Sequence, residues 1–265
     1  MAGILSVQIN SILGDKKANL DKVTELVGQY KGKPLDLVVV PEFFSTNIDY
    51  TKSPEDEDGG DTIKFMQRLA IEYNTNVVAG SVVRKVDGKL YNTSFAINRS
   101  GEVVEKYDKV HLFNYMGGTE GERITAGDEL KVVQFDFAKV GMTICFDMRY
   151  PVYINKIARE GAQIIVMPTA WLVPKEIFDN KSDCEYAQEM FVSMCRTRAY
   201  DNMTYFVVSN LVSGEVWKGI GNSMIISPTA QVLENAKLDE KAVYADIDVE
   251  CANYLQTICP IVNAD

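Results

Sequence analysis

Histidine is almost absent from this chain of 265 residues, which contains only His111. The five cysteines form no C-x-x-C pair, so the sequence indicates neither a disulfide framework nor a thiolate zinc site. No uninterrupted apolar stretch approaches the roughly 20 residues that a membrane-spanning helix needs, and the N-terminus lacks the pattern of a secretory signal. We therefore expect reduced thiols, no membrane partner and a cytoplasmic location.

Positive charge is also scarce. The chain has 27 Lys+Arg against 37 Asp+Glu, a formal net charge of −10. It has no basic cluster, and no alternation of basic and aromatic residues, that could follow a phosphate backbone. Nucleic acid is therefore excluded as the expected partner. Because 46% of the residues are hydrophobic, the chain can bury a substantial core.

Short β-rich runs alternate with longer helical patterns along the chain. Strands are predicted at 4–9, 37–40, 77–83, 90–97, 102–107, 132–135, 141–145, 164–167, 205–210, 222–227 and 242–247, and helices over roughly 15–31, 61–74, 151–160 and 183–201. This order predicts an α/β sandwich with a mixed sheet. Pro151 suits the first position of its helix, where the missing N–H costs nothing, and Gly161 suits the exit.

The chain shows no obvious internal boundary. LVVVPEFF (37–44) and IIVMPTAW (164–171) echo each other, which hints at two similar halves. No linker rich in Pro, Gly or Ser divides the chain, and the acidic SPEDEDGGD (53–61) is interpreted as a solvated loop. We therefore predict a single domain over 1–265.

Three reactive side chains stand where apolar strands end: Glu42 after LVVVP, Lys109 after EVVEKYD, and Cys145 at the close of GMTIC. Loops at the carboxyl ends of strands commonly carry the chemistry of α/β proteins. Taken singly, each residue has an ordinary alternative as a solvated acid, a snorkelling lysine or a packed thiol. Taken together, they supply a nucleophile, a proton acceptor and a stabiliser of negative charge.

Two residues could accept the proton of the Cys145 thiol, His111 and Glu42. His111 lies two residues past Lys109, so a Cys/His dyad is one alternative, and a hydrogen bond from His111 to a neighbouring loop is the other. A glutamate base faces a gap of about four pKa units to a thiol, or about 6 kcal/mol. Burial of Glu42, an adjacent Lys109 and the helix N-terminus at Pro151 are expected to close that gap.

These segments resemble the nitrilase superfamily of carbon–nitrogen hydrolases over almost the whole chain. VVVPEFF looks like the glutamate motif of that family, EKYDKVHLF like its lysine motif and GMTICFDMRYP like its nucleophile motif. Three later landmarks follow in the family's order: MPTAW (167–171), RTRAYDN (196–202) and GNSMIISPTAQVL (221–233).

The resemblance implies a four-layer α-β-β-α sandwich with two mixed sheets, commonly assembled as a homodimer or a higher homo-oligomer. It implies hydrolysis of a non-peptide C–N bond without metal or organic cofactor. Glu42 would act as the base and Cys145 as the nucleophile, while Lys109 and the backbone N–H of Phe146 would hold the oxyanion.

Further site residues follow from the same resemblance. A second glutamate is expected in the loop after Lys109, where counting back from Ala126–Gly127 favours Glu120 over Glu122. Asp147 and Arg149 are expected to brace the turn as an ion pair, with a substrate role for Arg149 as the alternative. Trp171 lines the pocket or belongs to the core. Val152 stands where the family often has glutamate.

The leading functional prediction is hydrolysis of a small linear amide, such as an ω-amide of a dicarboxylic acid, because KVHLF resembles the ω-amidase-like branch. One alternative is an N-carbamoyl hydrolase that releases CO₂ and ammonia. Another is a catalytically silent binding subunit of the same fold. The expected partner is a small-molecule amide.

Overall fold

The computed structural model describes residues 1–48, 54–212, 214 and 217–263. The strands within these ranges are β1 (Ala2–Gln8), β2 (Leu37–Val39), β3 (Asn76–Val78), β4 (Val82–Val86), β5 (Lys89–Ile97), β6 (Val103–Asp108), β7 (Lys131–Gln134), β8 (Lys139–Met142), β9 (Ile164–Pro168), β10 (Leu172–Pro174), β11 (Tyr205–Ser209), β12 (Trp217–Gly219), β13 (Met224–Ile226), β14 (Val232–Asn235) and β15 (Lys241–Ile247). The α-helices are α1 (Lys16–Gly28), α2 (Gly60–Tyr73), α3 (Pro151–Arg159), α4 (Lys175–Asp179), α5 (Lys181–Asn202) and α6 (Val249–Ile258). Short 3₁₀ helices cover Glu120–Glu122, Cys145–Arg149 and Pro260–Asn263.

Two mixed sheets form the centre of the fold. The first has the order β15-β1-β2-β3-β5-β4, with β6 also paired to β5, and the second has the order β14-β13-β11-β9-β8-β7. In the first sheet β1, β2 and β3 are parallel, whereas β5 is antiparallel to both β3 and β6. Strands β2 and β6 therefore run in the same direction. In the second sheet β8, β9 and β11 are parallel.

The carboxyl ends of both sheets lie at the same end of the sandwich. The Ser6 hydroxyl donates to the Val208 carbonyl, and the Ser209 hydroxyl donates to the Val7 carbonyl, each at 2.5 Å. These two bonds join the ends of β1 and β11 across the sheets. Residues that follow β2, β6, β8 and β9 are therefore brought to one edge.

Most buried apolar residues belong to clusters that lie between the layers of sheets and helices. Ile4, Val39, Val140, Val166 and Val207 belong to a fully buried cluster between the two sheets. A second cluster lies between the first sheet and the helices α1 and α2. A third joins the second sheet to α3 and α5. The predicted four-layer α-β-β-α sandwich with two mixed sheets is confirmed.

The predicted strand 77–83 is two strands, β3 and β4. Gly80 between them has φ 43°, and a Cβ atom there would lie 2.0 Å from the Pro41 carbonyl oxygen. A β-carbon would push this segment away from the chain that carries Glu42. Glycine therefore allows the close approach on which the turn after β2 depends.

The acidic segment 53–61 is not simply a solvated loop. Within its described part, Glu55 is buried and accepts from Lys16 Nζ at 2.6 Å and from the Thr62 hydroxyl. Residues 60 and 61 already belong to α2. Residue 53 lies outside the described residues.

None of the helices in the described ranges is long and apolar enough to cross a membrane. The C-terminal helix α6 was not predicted, because its sequence VECANYLQTI has no clear apolar period. It begins at the Asp248 cap, whose side chain accepts from the Glu250 N–H.

Candidate active site

A lysine lies between two carboxylates at the shared edge of the sheets. Lys109 Nζ is 2.9 Å from Glu42 Oε1 and 2.9 Å from Glu120 Oε2. Each of these three residues is only 2% exposed. Charges in such a site interact strongly because little water screens them, and each needs partners to offset the cost of burial.

Amide and backbone groups complete the partners of the two carboxylates. Asn92 Nδ2 donates to Glu42 Oε1 at 2.8 Å and to Glu120 Oε1 at 2.9 Å. The Ala170 N–H donates to Glu42 Oε2 at 2.8 Å, and the Phe113 N–H donates to Glu120 Oε2 at 2.8 Å. Both oxygens of each carboxylate are therefore held in fixed directions.

Backbone pairing places these residues together. Lys109 directly follows β6, and its N–H donates to the Asn92 carbonyl at 2.9 Å, which continues the β5–β6 ladder by one residue. Because β5 is antiparallel to β6, Asn92 near the start of β5 lies beside the end of β6. Glu42 follows β2, where the Phe43 N–H donates to the Ser81 carbonyl at 3.1 Å.

The loop after Lys109 contributes Glu120 rather than Glu122. Glu120 begins a 3₁₀ turn and points inward, whereas Glu122 is exposed. Burial raises the pKa of Glu120, but the Lys109 charge and hydrogen bonds from Phe113, Lys109 and Asn92 outweigh it, so the pKa is lowered overall. Glu120 is therefore ionised at neutral pH and pairs with Lys109.

Cys145 lies in a strained turn and not in a strand. The strand β8 ends at Met142, and Cys145 begins a 3₁₀ helix with φ 48°, a left-handed conformation that only the surrounding contacts can maintain. The predicted strand 141–145 is therefore wrong at its last residues. A strained backbone at this place presents one side chain at the end of the sheet, as nucleophile turns do.

The thiol of Cys145 is neutral at rest. Burial raises its pKa most, and the Glu42 carboxylate raises it further, while the Lys109 ammonium lowers it. We expected Lys109 and the helix N-terminus at Pro151 to lower this pKa overall. The net shift is upward because burial dominates. Any thiolate must therefore form by transferring its proton inside the site.

Asp147 does not form the predicted ion pair with Arg149. Its Oδ2 accepts from the Tyr107 hydroxyl at 2.6 Å and from the Ile144 N–H at 2.9 Å. Its Oδ1 accepts from the His111 N–H at 3.0 Å and lies 2.8 Å from His111 Nδ1. Arg149 is exposed. The turn is braced from β6 and the following loop because a fully buried carboxylate needs several donors at once.

His111 helps to hold this turn through its bonds to Asp147, and no hydrogen bond joins it to Cys145 among the described residues. Its ring stacks on Tyr150 at 3.6 Å between centroids, and it bonds Asp147 through Nδ1. This arrangement matches the hydrogen-bonding alternative considered for the histidine. The Cys/His dyad has no support from this geometry.

Replacing Tyr107 by phenylalanine is expected to destabilise the fold by about 1.5–3 kcal/mol, the range for a hydrogen bond to a charged group. Burial and the Asp147 charge raise the pKa of Tyr107 well above its usual value, so the hydroxyl stays a donor. Urea unfolding measures the effect. Tyr153→Phe is the control, because it removes only the 3.0 Å bond to the Tyr107 hydroxyl. Equal losses in the two variants would contradict the role of Asp147.

The remaining predicted residues lie around the turn. Phe146 follows Cys145, and its ring contacts Phe113 at 5.3 Å and Tyr115 at 5.6 Å between centroids. Trp171 is half-buried and packs on Phe191 of α5 at 5.1 Å, which fits its alternative as a core residue. Val152 is exposed on the first turn of α3.

The described residues contain no group of three or more His, Cys, Asp or Glu side chains that could hold a metal ion. The cation at the centre of this site is the Lys109 ammonium. Its two carboxylate partners each have further hydrogen-bond donors from the chain.

Sequence reasoning missed Asn92, which lies inside a strand and follows no strand exit. The signal that could have found it is a polar residue near the start of a strand that is antiparallel to the one before Lys109. Asn92→Ala is expected to lower kcat about ten- to hundredfold with little change in KM, because both carboxylates lose a donor.

The control for Asn92→Ala is Asn76→Ala. Asn76 is also buried in the first sheet and bonds Asp136 Oδ1 at 2.7 Å, but it lies at the start of β3, away from the site. It should lose stability and keep turnover. Steady-state kinetics of both variants tests this, and an unchanged kcat for Asn92→Ala would remove Asn92 from the site.

A family model and similar known proteins point to the same family. A family model described as carbon-nitrogen hydrolase matches residues 4–254. The 2-oxoglutaramate amidase of Bacillus subtilis is 27% identical over 261 residues, which cover 97% of this chain and 95% of that protein. The omega-amidase NIT3 of Saccharomyces cerevisiae is 26% identical over 275 residues, covering 96% and 90%.

A solved structure has the same fold. The carbon-nitrogen hydrolase from Helicobacter pylori G27 superposes with a TM-score of 0.89 at 22% identity, covering all of this chain and 95% of that chain. At this identity the likeness concerns the fold alone.

Proposed function

Because this chain belongs to the carbon–nitrogen hydrolase family, we propose that it hydrolyses the ω-amide of a small linear dicarboxylic acid to a carboxylate and ammonia. The observation that carries the proposal is the buried Glu42–Lys109–Glu120 cluster beside the Cys145 turn. The names of the bacterial and yeast relatives support the choice of an ω-amide.

In the first half of the reaction Glu42 takes the proton of the Cys145 thiol while Sγ attacks the amide carbon. The carbonyl electron pair moves to oxygen, and Lys109 with the Phe146 N–H stabilises the negative charge. When the electron pair on the oxyanion re-forms the carbonyl bond, the C–N bond breaks. The nitrogen leaves as ammonia with the proton that Glu42 held. The acyl group stays on Cys145 as a thioester.

In the second half water replaces ammonia. Glu42 takes a proton from water, the hydroxide adds to the thioester carbon, and the same donors hold the second oxyanion. The C–S bond then breaks, and the proton on Glu42 returns to sulfur. The product leaves as the carboxylic acid and loses its proton to solvent, so the steps balance without a cofactor.

The three partners of Glu42 suit this role. Hydrogen bonds from Lys109, Asn92 and Ala170 fix its orientation, so the carboxylate loses little motion when it accepts a proton. Glu120 offsets part of the Lys109 charge and holds the ammonium in place, and we assign it a positioning role.

A panel of matched compounds tests the substrate class. Succinamate and glutaramate, the monoamides of four- and five-carbon dicarboxylic acids, are compared with butyramide and valeramide, which lack the distal carboxylate. N-carbamoyl-β-alanine and butyronitrile test the other reactions. We expect ammonia from the two ω-amides at a higher kcat/KM than from the plain amides, and no CO₂. Preferential release of CO₂ from the carbamoyl compound would favour the alternative of an N-carbamoyl hydrolase.

We further propose that the chain is a single cytoplasmic domain that forms a homodimer through its outer helical layer. The family match spans nearly the whole chain. Tyr186, Met190 and Tyr200 of α5 are exposed on that layer, and apolar surface of this kind is typical of an interface. Analytical ultracentrifugation at micromolar concentration tests the assembly, and a monomer would contradict it.

A further inference from the structure

Thr169 is fully buried directly after β9, and its hydroxyl has no ordinary partner. The Thr169 N–H donates to the Ser209 carbonyl at 2.8 Å, which fixes the backbone. The hydroxyl oxygen makes no hydrogen bond with any atom of the described residues. In the β8–β9 register Met142 lies opposite Val166, so Cys145 and Thr169, each three residues further along, leave the sheet side by side, and the Thr169 hydroxyl lowers the pKa of the Cys145 thiol. A buried hydroxyl without a partner costs stability, so its place beside a reactive sulfur calls for a reason.

The segment Thr169–Ala170 lies next to both ends of the proposed proton transfer. The Ala170 N–H holds Glu42 Oε2 at 2.8 Å, on the side of the proton acceptor. Thr169 follows β9 beside the segment that leads from β8 into Cys145, on the side of the proton donor. One short piece of chain after β9 therefore sets the geometry of the acid and of the thiol together.

The neutral thiol gains little from a hydrogen bond with this hydroxyl, whereas the thiolate gains a strong one. A thiol is a weak hydrogen-bond partner, whereas a thiolate is a strong acceptor whose hydration is lost in a buried site. The proton transfer to Glu42 creates this charge where little water can reach, because Cys145 is only 8% exposed. A hydroxyl without another partner can turn its O–H toward the sulfur when the charge appears, without breaking an existing hydrogen bond.

We propose that the Thr169 hydroxyl is a catalytic donor that stabilises the Cys145 thiolate during attack and again when the thioester is cleaved. The proposal rests on the proposed function, because it requires Cys145 to be the nucleophile. Thr169 keeps its own proton throughout, and the proton from sulfur goes to Glu42. No bond to the threonine forms or breaks.

The chain offers a matched control in Thr204. This threonine is also fully buried, and its hydroxyl also lacks a partner within the described residues. Thr204 directly precedes β11, which is parallel to β9, so it lies at the opposite end of the second sheet from Thr169. Thr204→Val therefore reproduces the chemical change without touching the site.

The experiment compares Thr169→Val, Thr169→Ala, Thr169→Ser and Thr204→Val in the full chain. Serine and alanine both lack the threonine methyl group and differ only in the hydroxyl, so this pair separates hydrogen bonding from packing. The readouts are kcat on glutaramate, the pH profile of iodoacetamide alkylation at Cys145 followed by peptide mass spectrometry, and the melting temperature.

We expect Thr169→Val and Thr169→Ala to alkylate Cys145 about ten- to hundredfold more slowly than the wild type at each pH below the pKa of the thiol, with a matching fall in kcat. Thr169→Ser should recover most of both rates, and Thr204→Val should match the wild type. A purely structural threonine would change the melting temperature and leave the alkylation profile in place.

Two results would overturn the proposal. One is wild-type alkylation and turnover in Thr169→Val. The other is an equal loss in Thr169→Ser and Thr169→Ala, which would assign the effect to packing. Failure of the proposed function is distinguishable, because the wild type would then release no ammonia from glutaramate, whereas the alkylation profiles of the Thr169 variants would still report on the thiolate.

Discussion

Replacing Cys145 by alanine is expected to abolish amide hydrolysis and to leave the fold intact. Alanine keeps the β-carbon of a buried residue and removes only the sulfur, so the loss of packing is small beside the loss of the nucleophile. Glu42 and Glu120 are fixed in bonds to Lys109, which leaves Cys145 as the expected nucleophile of the site. Ammonia release above the uncatalysed background should disappear.

The control for this variant is Cys195→Ala. Cys195 is the other fully buried thiol near the turn, where its Sγ lies 3.5 Å from Met148 Sδ, and burial raises its pKa as well. It should lose some stability and keep its turnover. Turnover in Cys145→Ala, measured with preparations from which wild-type enzyme is excluded, would contradict the mechanism.

Glu42→Gln is expected to lower kcat by about 10²–10⁴-fold, the usual contribution of a positioned general base. Glutamine has the size of glutamate but cannot accept the thiol proton. It also faces Lys109 Nζ, Asn92 Nδ2 and the Ala170 N–H, which are all donors, so one of its amide protons meets a donor. We therefore expect slower proton transfer and a displaced Lys109 ammonium. Steady-state kinetics with glutaramate measures the effect.

Glu55→Gln separates this effect from the general cost of breaking a buried ion pair. Glu55 is also buried and bonded to a lysine, Lys16, but it lies on the outer side of the first sheet beside α2. This variant should unfold more easily and hydrolyse the amide at nearly the wild-type rate. A Glu42→Gln enzyme with kcat within a factor of about three of the wild type would rule out Glu42 as the base.

Much of the fold was predictable because its strands are short apolar runs between helical patterns. Glu42 and Lys109 could be paired from sequence, since both follow such runs and the carboxyl ends of β2 and β6 point the same way. The link between β3 and β4 was not predictable, because VVAGSVV reads as one apolar run. Only the structure shows Gly80 turning against the Pro41 carbonyl.

The contacts around Cys145 depend on tertiary structure that a sequence does not display. Asp147 and Arg149 are neighbours in the chain, and a local ion pair was the simple expectation. The true partners of Asp147, Tyr107 and His111, come from β6 and the following loop, about 40 residues away. The left-handed backbone of Cys145 has no signature in residue type.

The central claim is that Cys145 carries the acyl group of the amide, and acid-quenched mass spectrometry tests it directly. The enzyme is mixed with glutaramate, quenched within the first turnovers and digested, and the peptide that contains Cys145 is examined. We predict that this peptide gains the mass of the acyl group and that Cys145→Ala shows no such gain. Acylation of a different residue, or continued turnover without any acyl group on Cys145, would contradict the account.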